Sequence, residues 1–498
     1  MNVNPITRLD YPDPDVIRVE DTYYMVSTTM HFMPGCEILQ SFDLVHWEHA
    51  TYVYETLDHT DAQQLKSGQN IYGQGMWAAS LRYHEGRFYI CFVANDTRKT
   101  YLYTSEKIDG PWKKQLIEGF YHDGSLLFDE DGRNYIVYGN DEIWITELNE
   151  DLTAPKKDGL HRLLVSDHKN PELGYEGSHI QKINGYYYIF LVHSLRDRWM
   201  RTEACFYSDS LEGEFTGGDV LCDDRGYCGQ GVAQGGIVDT PDGKWYAMLF
   251  QDSGAVGRIP ILLPVTWKDH FPFFGQNGHV PEEIEVHSTR PGYIYQPLVG
   301  SDDFCNGLLP RWQFNHDPDP RYYHLDALQG TYTITTREVC TELTQAVNTL
   351  TQRMSYPSCA AEVTVDASAL KEGDVAGLCA FQGCYAAVGI TKHHGKYEVL
   401  MLDKKEDGIL DMTEGTVVES HQMDFRLEAD FCNMKDEARC YYRVNKGDWL
   451  PIGTVHKLYF KLDHFTGCRF GLFCYAAEET GGSACFRDFK YYDVDEIS

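Results

Sequence analysis

The sequence predicts an all-β protein made of a five-bladed β-propeller followed by a β-sandwich. Short runs rich in Val, Ile, Tyr and Phe, separated by Gly, Asp and Asn, dominate the first ~260 residues, whereas helix signals are few. One such run recurs five times. The last third of the chain is again rich in strands but lacks the recurring run. Together these features predict two all-β domains of different architecture.

The recurring run is a turn followed by a strand rich in aromatic residues. Its copies are DTYYMVS (21–27), GRFYICF (86–92), GRNYIVY (132–138), GYYYIFL (185–191) and GKWYAML (243–249). Each copy is typical of the turn and second strand of a hairpin, and the Gly in four of them can supply the positive φ of the turn. Repeats spaced 46 to 65 residues apart, each one small antiparallel sheet, indicate propeller blades. The sequence therefore predicts five blades.

The strand before each run predicts where the chemistry lies. Twelve residues before the aligned tyrosines lie Trp77, Asp123, Glu176 and Gln234, and Asp13 lies eleven before the first of them. In a propeller the innermost strand of every blade lines the axis, so equivalent positions converge at one end of the channel. We therefore expect Asp13, Asp123 and Glu176 to meet, although they are up to 163 residues apart.

Three carboxylates at one partly dry site suit the hydrolysis of a glycosidic bond. Their pKa values separate because they repel one another, so that one group can donate a proton while another activates water. Asp13 also lies between two prolines in YPDPDV (11–16), which restrict the direction of its carboxylate. The alternatives are that Pro and Asp are ordinary turn residues, and that the acids cap strands or bind a cation.

The last third of the chain predicts a second domain. The recurring run ends near STRPGYIYQPLVGSDDF (288–304), where Pro, Gly and Ser indicate a linker. We place the propeller at residues 1–289, the linker at 290–303 and the sandwich at 304–498. Alternating polar and apolar strands such as GTYTITT (330–336), separated by turns, predict an antiparallel sandwich. This part has no ring of carboxylates, so we expect no chemistry of its own.

Composition restricts the partners. A net charge of −32 over 498 residues argues against nucleic acid and anionic membrane and favours a small neutral oligosaccharide. No apolar run is long enough for a membrane span, and the N-terminus has no signal-peptide pattern. The 15 cysteines are scattered without a CxxC pair, as is typical of reduced thiols. We expect a cytoplasmic protein and make no prediction of its oligomeric state.

Three stretches resemble glycoside hydrolase family 43, the five-bladed propellers that hydrolyse xylosyl and arabinofuranosyl bonds with inversion. They are YPDPDVIRVEDTYYM (11–25), HDGSLLFDEDGRNYIVYG (122–139) and YEGSHIQKINGYYYIF (175–190). The resemblance implies that Asp13 is the general base and Glu176 the general acid, and that Asp123 tunes the pKa and orientation of the acid.

The resemblance also implies further substrate-binding residues. Phe32, before Pro-Gly in FMPGCEILQ (32–40), matches the aromatic residue at the substrate wall, although plain packing is an alternative. Trp77 could stack on a sugar ring or lie in the core, and Arg258 could bind substrate hydroxyls or form a surface ion pair. Many relatives carry a His at Gln234 that helps to hold a channel ion. Gln234 is thus a candidate ligand of a structural calcium ion, and no cofactor is expected to be required.

The C-terminal strands resemble the concanavalin-like jelly roll that follows the propeller in many xylosidases of this family. The two-domain layout resembles its exo-acting members. We therefore expect an enzyme that releases terminal α-L-arabinofuranose, β-D-xylose or both from xylan-derived oligosaccharides. Rival predictions are a catalytically inactive carbohydrate-binding propeller and a propeller phosphorylase or fructosidase. Asp13 follows Pro and Glu176 precedes Gly, and neither pattern fits a fructosidase.

Overall fold

The computed structural model describes residues 2–493 and is built almost wholly from β-strands. Five antiparallel four-stranded sheets follow one another along the chain, which confirms the prediction of a five-bladed propeller. From the axis outward, the strands are Asp15–Val19, Thr22–Ser27, Gly35–Ser41 and Glu48–Tyr54 in blade 1; Met76–His84, Arg87–Ala94, Lys99–Ser105 and Lys113–Ile117 in blade 2; Ser125–Phe128, Asn134–Asn140, Glu142–Leu148 and His161–Ser166 in blade 3; Glu176–Ile183, Tyr186–Ser194, Arg201–Ser208 and Thr216–Leu221 in blade 4; and Ala233–Asp239, Trp245–Asp252, Arg258–Lys268 and Phe271–Phe274 in blade 5.

Apolar side chains between neighbouring blades hold the ring together. Separate buried clusters join blades 1 and 2, 2 and 3, 3 and 4, and 4 and 5. A fifth cluster packs Val16 and Met25 of blade 1 against Met248 and Leu262 of blade 5, so the first and last blades close the ring. The N-terminal strand Asn2–Val3 pairs with Glu283–Ile284, and the Asn4 side chain bonds the backbone of Leu262. These contacts tie the start of the chain to the last blade.

The C-terminal domain is a sandwich of two antiparallel sheets around one large buried cluster, which confirms the predicted second domain. The first sheet contains Gln313–Asn315, Leu350–Arg353, Val375–Phe381, Tyr385–His393, Lys396–Lys404, Leu410–Met412, Thr416–Val418 and Arg469–Tyr475. The second contains Tyr323–Asp326, Thr331–Thr335, Ser358–Asp366, Gln422–Asp430, Glu437–Arg443, Leu450–Lys457 and Ser483–Asp493. Short 3₁₀ helices are Lys66–Gly68, Gly254–Val256, Leu343–Gln345 and Cys432–Met434.

The two domains dock through a continuous interface. The propeller strand Phe32–Met33 adds to the edge of the first sandwich sheet by pairing with Gln313–Asn315. A buried salt bridge joins Arg353 Nη1 to Glu37 Oε2 at 2.8 Å. The Asp10 carboxylate accepts hydrogen bonds from the backbone amides of Arg258 and Gly467, one in each domain. The sandwich is thereby fixed over one end of the propeller.

None of the 15 cysteines forms a disulfide. Within residues 2–493, no helix has both the length and the apolar character that a membrane crossing requires.

Candidate active site

Each inner strand begins with one residue in the left-handed backbone region. Strand pairing identifies the equivalent positions on the inner strands. They are the residues paired with the position two after each aligned tyrosine, namely Asp15, Ser80, Ser125, His179 and Gly236 in blades 1 to 5. Two residues before these, φ is positive in all five blades, at Asp13 (52°), Ala78 (32°), Asp123 (48°), Gly177 (66°) and Gln234 (63°). The propeller therefore repeats one sharp turn at the mouth of its channel.

This register corrects the sequence alignment by one residue in two blades. The hairpins of blades 3 and 5 are one residue longer than the others, so counting back twelve residues reaches the left-handed position only in those two blades. In blades 2 and 4 the same count goes one residue too far, and Trp77 and Glu176 therefore lie directly before that position. In blade 4 the left-handed position is Gly177, where an added Cβ would lie 2.7 Å from Cγ of Gln234. The Glu-Gly pair thus follows from local geometry, since only Gly fits directly after Glu176.

A cavity of about 210 Å³ opens at this end of the channel. It brings together five of the six residues predicted for catalysis or substrate binding, together with Gln234, the candidate metal ligand. Its lining is Asp13, Trp77, His122, Asp123, Asn140, Leu173, Glu176, Trp199, Arg201, Gln234, Arg258, Leu462 and Phe465. A larger cavity of about 750 Å³ lies between the N-terminal segment and the linker, but Asp493 is the one acid in its lining. The smaller cavity is therefore the candidate site, because Asp13, Asp123 and Glu176 from three inner strands converge there.

Both oxygens of the Asp13 carboxylate are held. Oδ1 accepts a hydrogen bond from Nη1 of Arg258 at 2.7 Å, and Oδ2 accepts one from Oγ1 of Thr28 at 2.6 Å. The carbonyl of Pro12 accepts hydrogen bonds from Ser27 Oγ and from the Thr28 amide, which fixes the turn that carries Asp13. These partners suit a carboxylate, the form that a general base requires.

Asp123 and Glu176 lie on either side of His122. Nε2 of His122 is 3.5 Å from Oδ2 of Asp123 and 3.7 Å from Oε2 of Glu176. Asp123 Oδ2 also accepts the Gly177 amide at 2.9 Å, and Glu176 Oε2 accepts Nδ2 of Asn140 at 2.9 Å. The Gly177 amide therefore links the positions of the two carboxyls.

Burial and neighbouring charges shift the pKa values of Asp123, Glu176 and His122. Burial raises the pKa of Asp123 to about 6, with a further contribution from the negative charges of Glu176 and Asp13. Burial also acts to raise the pKa of Glu176, but the neighbouring His122 outweighs it and the net pKa lies below the usual value. The negative charge of Asp123 raises the pKa of His122 to about 9, against the effect of burial. Because they interact, Asp123 and Glu176 titrate as a pair.

Arg258 is buried, with 5% of its surface exposed, so the alternative of a surface ion pair is wrong. Besides Asp13, its guanidinium contacts Oδ1 of Asp252 through Nε at 3.1 Å. It lies 3.6 Å from the centre of the Phe465 ring and 4.5 Å from that of Phe250. A buried ion pair enclosed by aromatic rings fixes the direction of the Asp13 carboxylate.

Trp77 and Phe465 form the apolar wall of the cavity. Trp77 is half-buried, and its ring centre lies 5.0 Å from that of Phe465 in an edge-to-face arrangement. Phe465 belongs to the sandwich, as does the neighbouring Leu462, so a loop of the second domain closes the cavity. Of the two rings, Trp77 is the more accessible, because Phe465 is 3% exposed, and aromatic rings of this kind pack against the C–H faces of sugars.

Phe32 does not line the cavity, in contrast to the sequence prediction. It is 1% exposed and pairs with Asn315 in the domain interface. The guanidinium of Arg469 lies 3.4 Å from its ring centre and covers it. Phe32 is therefore a packing residue between the domains, and Phe465 supplies the aromatic wall that Phe32 was expected to provide.

Several lining residues were missed from the sequence. His122 directly precedes Asp123 and could have been found from that position alone. Trp199, Arg201 and Phe465 lie outside the recurring runs, on a loop, on the third strand of blade 4 and in the sandwich, so no repeat position identifies them. They reach the cavity only through tertiary packing.

Gln234 lines the cavity, and its role as a calcium ligand stays a prediction; between the inner strands, however, lies a cation of the chain itself. This cation is the Arg82 guanidinium, which bridges the inner strands of four blades. It bonds Oδ2 of the fully buried Asp15 at 2.8 Å, Oγ of Ser125 at 2.7 Å and the carbonyl of Ile180 at 3.1 Å. The second oxygen of Asp15 contacts His179 Nδ1 at 3.1 Å. The buried Asp15 carboxylate is thus paired with the Arg82 guanidinium.

Comparison with known proteins identifies the family. Residues 3–272 match the family described as glycosyl hydrolases family 43, and residues 301–492 match the C-terminal concanavalin A-like domain of β-xylosidase. A β-xylosidase of Formosa agariphila is 26% identical over 99% of this chain and 89% of its own length. A non-reducing end α-L-arabinofuranosidase of Bacteroides ovatus is 24% identical over 82% of this chain and 79% of its own length.

A solved structure extends the comparison. The bifunctional GH43-CE protein of Bacteroides eggerthii superposes with a TM-score of 0.91 at 42% identity over 100% of this chain. This chain spans 64% of the length of that protein. The match of more than half the chain to the family, together with the pocket of three carboxylates, leads to one conclusion: the chain belongs to glycosyl hydrolase family 43 and is a glycosidase.

Proposed function

We propose that the chain is an exo-acting, inverting glycosidase that releases terminal α-L-arabinofuranose or β-D-xylose from short xylan-derived oligosaccharides. The observation that carries this proposal is the small cavity closed by the sandwich loop, with Asp13, Asp123 and Glu176 on its wall. A cavity of about 210 Å³ suits one pentose ring and leaves no room for a chain to continue past it. Such a site accepts the end of a chain and excludes its interior.

The roles of two carboxyls follow from their partners. Asp13 is the base, because Arg258 and Thr28 hold its carboxylate while water can approach the sugar from that side. Glu176 is the acid that protonates the leaving oxygen, and Asn140 orients it. In an inverting reaction the water attacks C1 from the face opposite the leaving group, so base and acid act from opposite walls.

Asp123 and His122 control the proton on Glu176. Asp123, with its pKa raised to about 6, can hold a proton beside Glu176 below that pH, and the charges of His122, Arg201 and Arg258 lower the pKa of Glu176. His122, Asp123 and Glu176 are also close enough to share a metal ion, with ligand atoms within 4.8 Å. A bound divalent cation would keep both carboxyls ionised and remove the acid, so we assign the group to proton transfer.

The names of the relatives support the choice of sugars. The two curated relatives are named for β-xylosides and for non-reducing end α-L-arabinofuranosides. These two glycosides present similar reactive bonds, and a single hydroxymethyl group gives limited discrimination between them. We therefore propose both as substrates.

Hydrolysis of nitrophenyl α-L-arabinofuranoside and nitrophenyl β-D-xyloside tests the proposal. The wild type should cleave at least one of them, and Glu176→Ala and Asp13→Asn should lower kcat by roughly 100- to 10,000-fold at normal thermal stability. With xylo-oligosaccharides the first product should be the monosaccharide.

Two results would contradict the proposal. A wild type that binds but cleaves neither glycoside would favour the carbohydrate-binding alternative. Early release of di- or trisaccharides would exclude exo action.

A further inference from the structure

One charged donor in the cavity has no partner in the described part of the chain. Arg201 begins the third strand of blade 4 and is 2% exposed. Its Nε donates to Oδ2 of Asp252 at 3.0 Å, but its buried Nη1 donates to no protein group. An unpaired charged donor that is shielded from water costs free energy, and a ligand that accepts a hydrogen bond from it removes that cost.

Aromatic rings fix the orientation of Arg201 without binding its N–H groups. Its guanidinium carbon lies 5.2 Å from the ring centre of Trp199 and 5.4 Å from that of Phe250. Contact through a ring face leaves the in-plane N–H directions of a guanidinium free. The side chain is therefore held at the cavity wall with Nη1 available.

Arg201 ends a row of alternating charges that crosses the cavity. Asp13 pairs with Arg258, Arg258 pairs with Asp252, and Asp252 pairs with Arg201. At the far end, the positive charge of Arg201 is among the charges that lower the pKa of Glu176. Arg258 lowers the pKa of Glu176 in the same way and also donates to Asp13, so the two arginines share the charge of this cavity.

We propose that Nη1 of Arg201 donates a hydrogen bond to a ring hydroxyl of the sugar in the cavity, so that Arg201 is a substrate-binding residue. The acceptor is a neutral hydroxyl and not a sugar carboxylate, because Asp13, Asp123 and Glu176 share the cavity and would repel a second anion. Trp77 and Phe465 line the same cavity and offer the sugar an apolar surface. The inference rests on the proposed function and adds a residue that selects substrates by their hydroxyl groups.

A cycle between enzyme and substrate variants tests the proposal. The substrates are the preferred nitrophenyl pentoside and its 2-deoxy and 3-deoxy analogues, and the enzymes are the wild type and Arg201→Met. One deoxy analogue lacks the hydroxyl that Arg201 binds. The fall in kcat/KM from the parent glycoside to this analogue should be roughly 10- to 100-fold larger for the wild type than for Arg201→Met. Arg201→Met should cleave the parent glycoside and that analogue at similar efficiency, after allowance for the intrinsic reactivity of each.

Further variants separate binding from structure. Arg201→Gln keeps an amide that can donate to Asp252, so it replaces Arg201→Met in the cycle if that variant does not fold. Arg198→Met removes an arginine of the loop that leads into the strand of Arg201. The Arg198 side chain is 59% exposed, and this variant should behave as the wild type throughout.

The outcomes distinguish the inference from the function on which it rests. Equal losses for every deoxy analogue in the wild type and in both Arg201 variants would overturn the inference alone and leave Arg201 as a support for Asp252. A wild type that is inactive on both nitrophenyl glycosides would overturn the proposed function, and the inference with it.

Discussion

Glu176 and Asp123 have different surroundings although their residue types and positions are similar. Asp123 is 6% exposed and accepts a backbone amide, whereas Glu176 is bonded by Asn140 and keeps 18% of its side chain exposed at the cavity. The more exposed carboxyl is the one that can meet a leaving group. Burial and hydrogen bonding thus divide the roles of the two acids.

The assignment of Glu176 as the acid predicts a dependence on the leaving group. Glu176→Gln should lower kcat/KM for unactivated xylo-oligosaccharides by at least ~10-fold more than for nitrophenyl glycosides, because nitrophenolate needs little protonation. Steady-state kinetics on both substrates measure the effect. Equal losses would show that Glu176 is not the acid.

The charges around the pair predict the alkaline limb of the pH profile. The pKa of Asp123 is raised to about 6, so the single proton of the pair should be lost, and kcat/KM should fall, as pH rises above about 6. Asp123→Asn removes a negative charge, stabilises the ionised Glu176 and should move this limb to lower pH. His122→Asn removes a positive charge and should move it to higher pH. Shifts of both variants in the same direction would contradict the account.

At the scale of elements, the inner strands carry both the catalytic turn and the seal of the channel. Two residues beyond the left-handed positions of blades 1, 3 and 4 lie Asp15, Ser125 and His179. Arg82 bonds Asp15 and Ser125, and His179 contacts Asp15. The cation of this network belongs to the chain. Stability should therefore depend on Arg82 and not on added metal.

Removal of Arg82 tests that expectation. Arg82→Met leaves the buried Asp15 without its main cation and should cost roughly 3 to 5 kcal/mol of unfolding free energy. Adding Asp15→Asn to this variant should recover part of the loss. Calorimetry of the wild type with calcium or with EDTA should give the same Tm, and a calcium-dependent rise in Tm would contradict the account.

Three histidines at the domain interface predict loss of stability in acid. His31, His316 and His464 pack together, with ring centres 4.9 Å and 5.3 Å from that of His31. Burial lowers the pKa of His316 to about 3 and of His464 to about 4, and lowers that of His31 well below its usual value. The unfolded chain binds these protons near pH 6.5, so stability is full above that pH and falls as pH drops toward 4.

His31→Phe tests this group, because neither ring nitrogen of His31 has a hydrogen-bond partner in the described chain. A histidine that stays neutral in the folded protein lowers the free energy of unfolding by about 2 kcal/mol at pH 5 relative to pH 7.5. The change in unfolding free energy caused by His31→Phe should therefore be about 2 kcal/mol more favourable at pH 5 than at pH 7.5. Denaturant unfolding at the two values measures it, and an equal change at both would exclude the titration.

At the scale of the whole molecule, the sequence predicted the features that recur in every blade but not the contacts between the domains. Five blades and the convergence of Asp13, Asp123 and Glu176 follow from one recurring pattern. The pattern could not show that hairpins of unequal length shift Trp77 and Glu176 by one residue. It also could not show that Phe32 is covered by Arg469, or that Phe465 and Arg201 enter the cavity from elements outside the repeat.

The docked sandwich makes one enclosed site from two domains. Asp10 accepts hydrogen bonds from amides of both domains, and one of these amides belongs to Arg258, whose side chain contacts Phe465 across the interface. The aromatic wall and Asp13, the proposed general base, are therefore positioned by the same contacts. This arrangement supports the proposal of a closed site for one terminal sugar.

The anomer released first tests the central claim most directly. Proton NMR of the wild-type reaction, recorded before the free sugar mutarotates, should show β-L-arabinofuranose from the α-L-arabinofuranoside or α-D-xylose from the β-D-xyloside. That result is expected if Asp13 activates water opposite Glu176. Release of the same anomer as in the substrate would mean that a carboxylate attacks the sugar itself, and it would contradict the roles assigned to both residues.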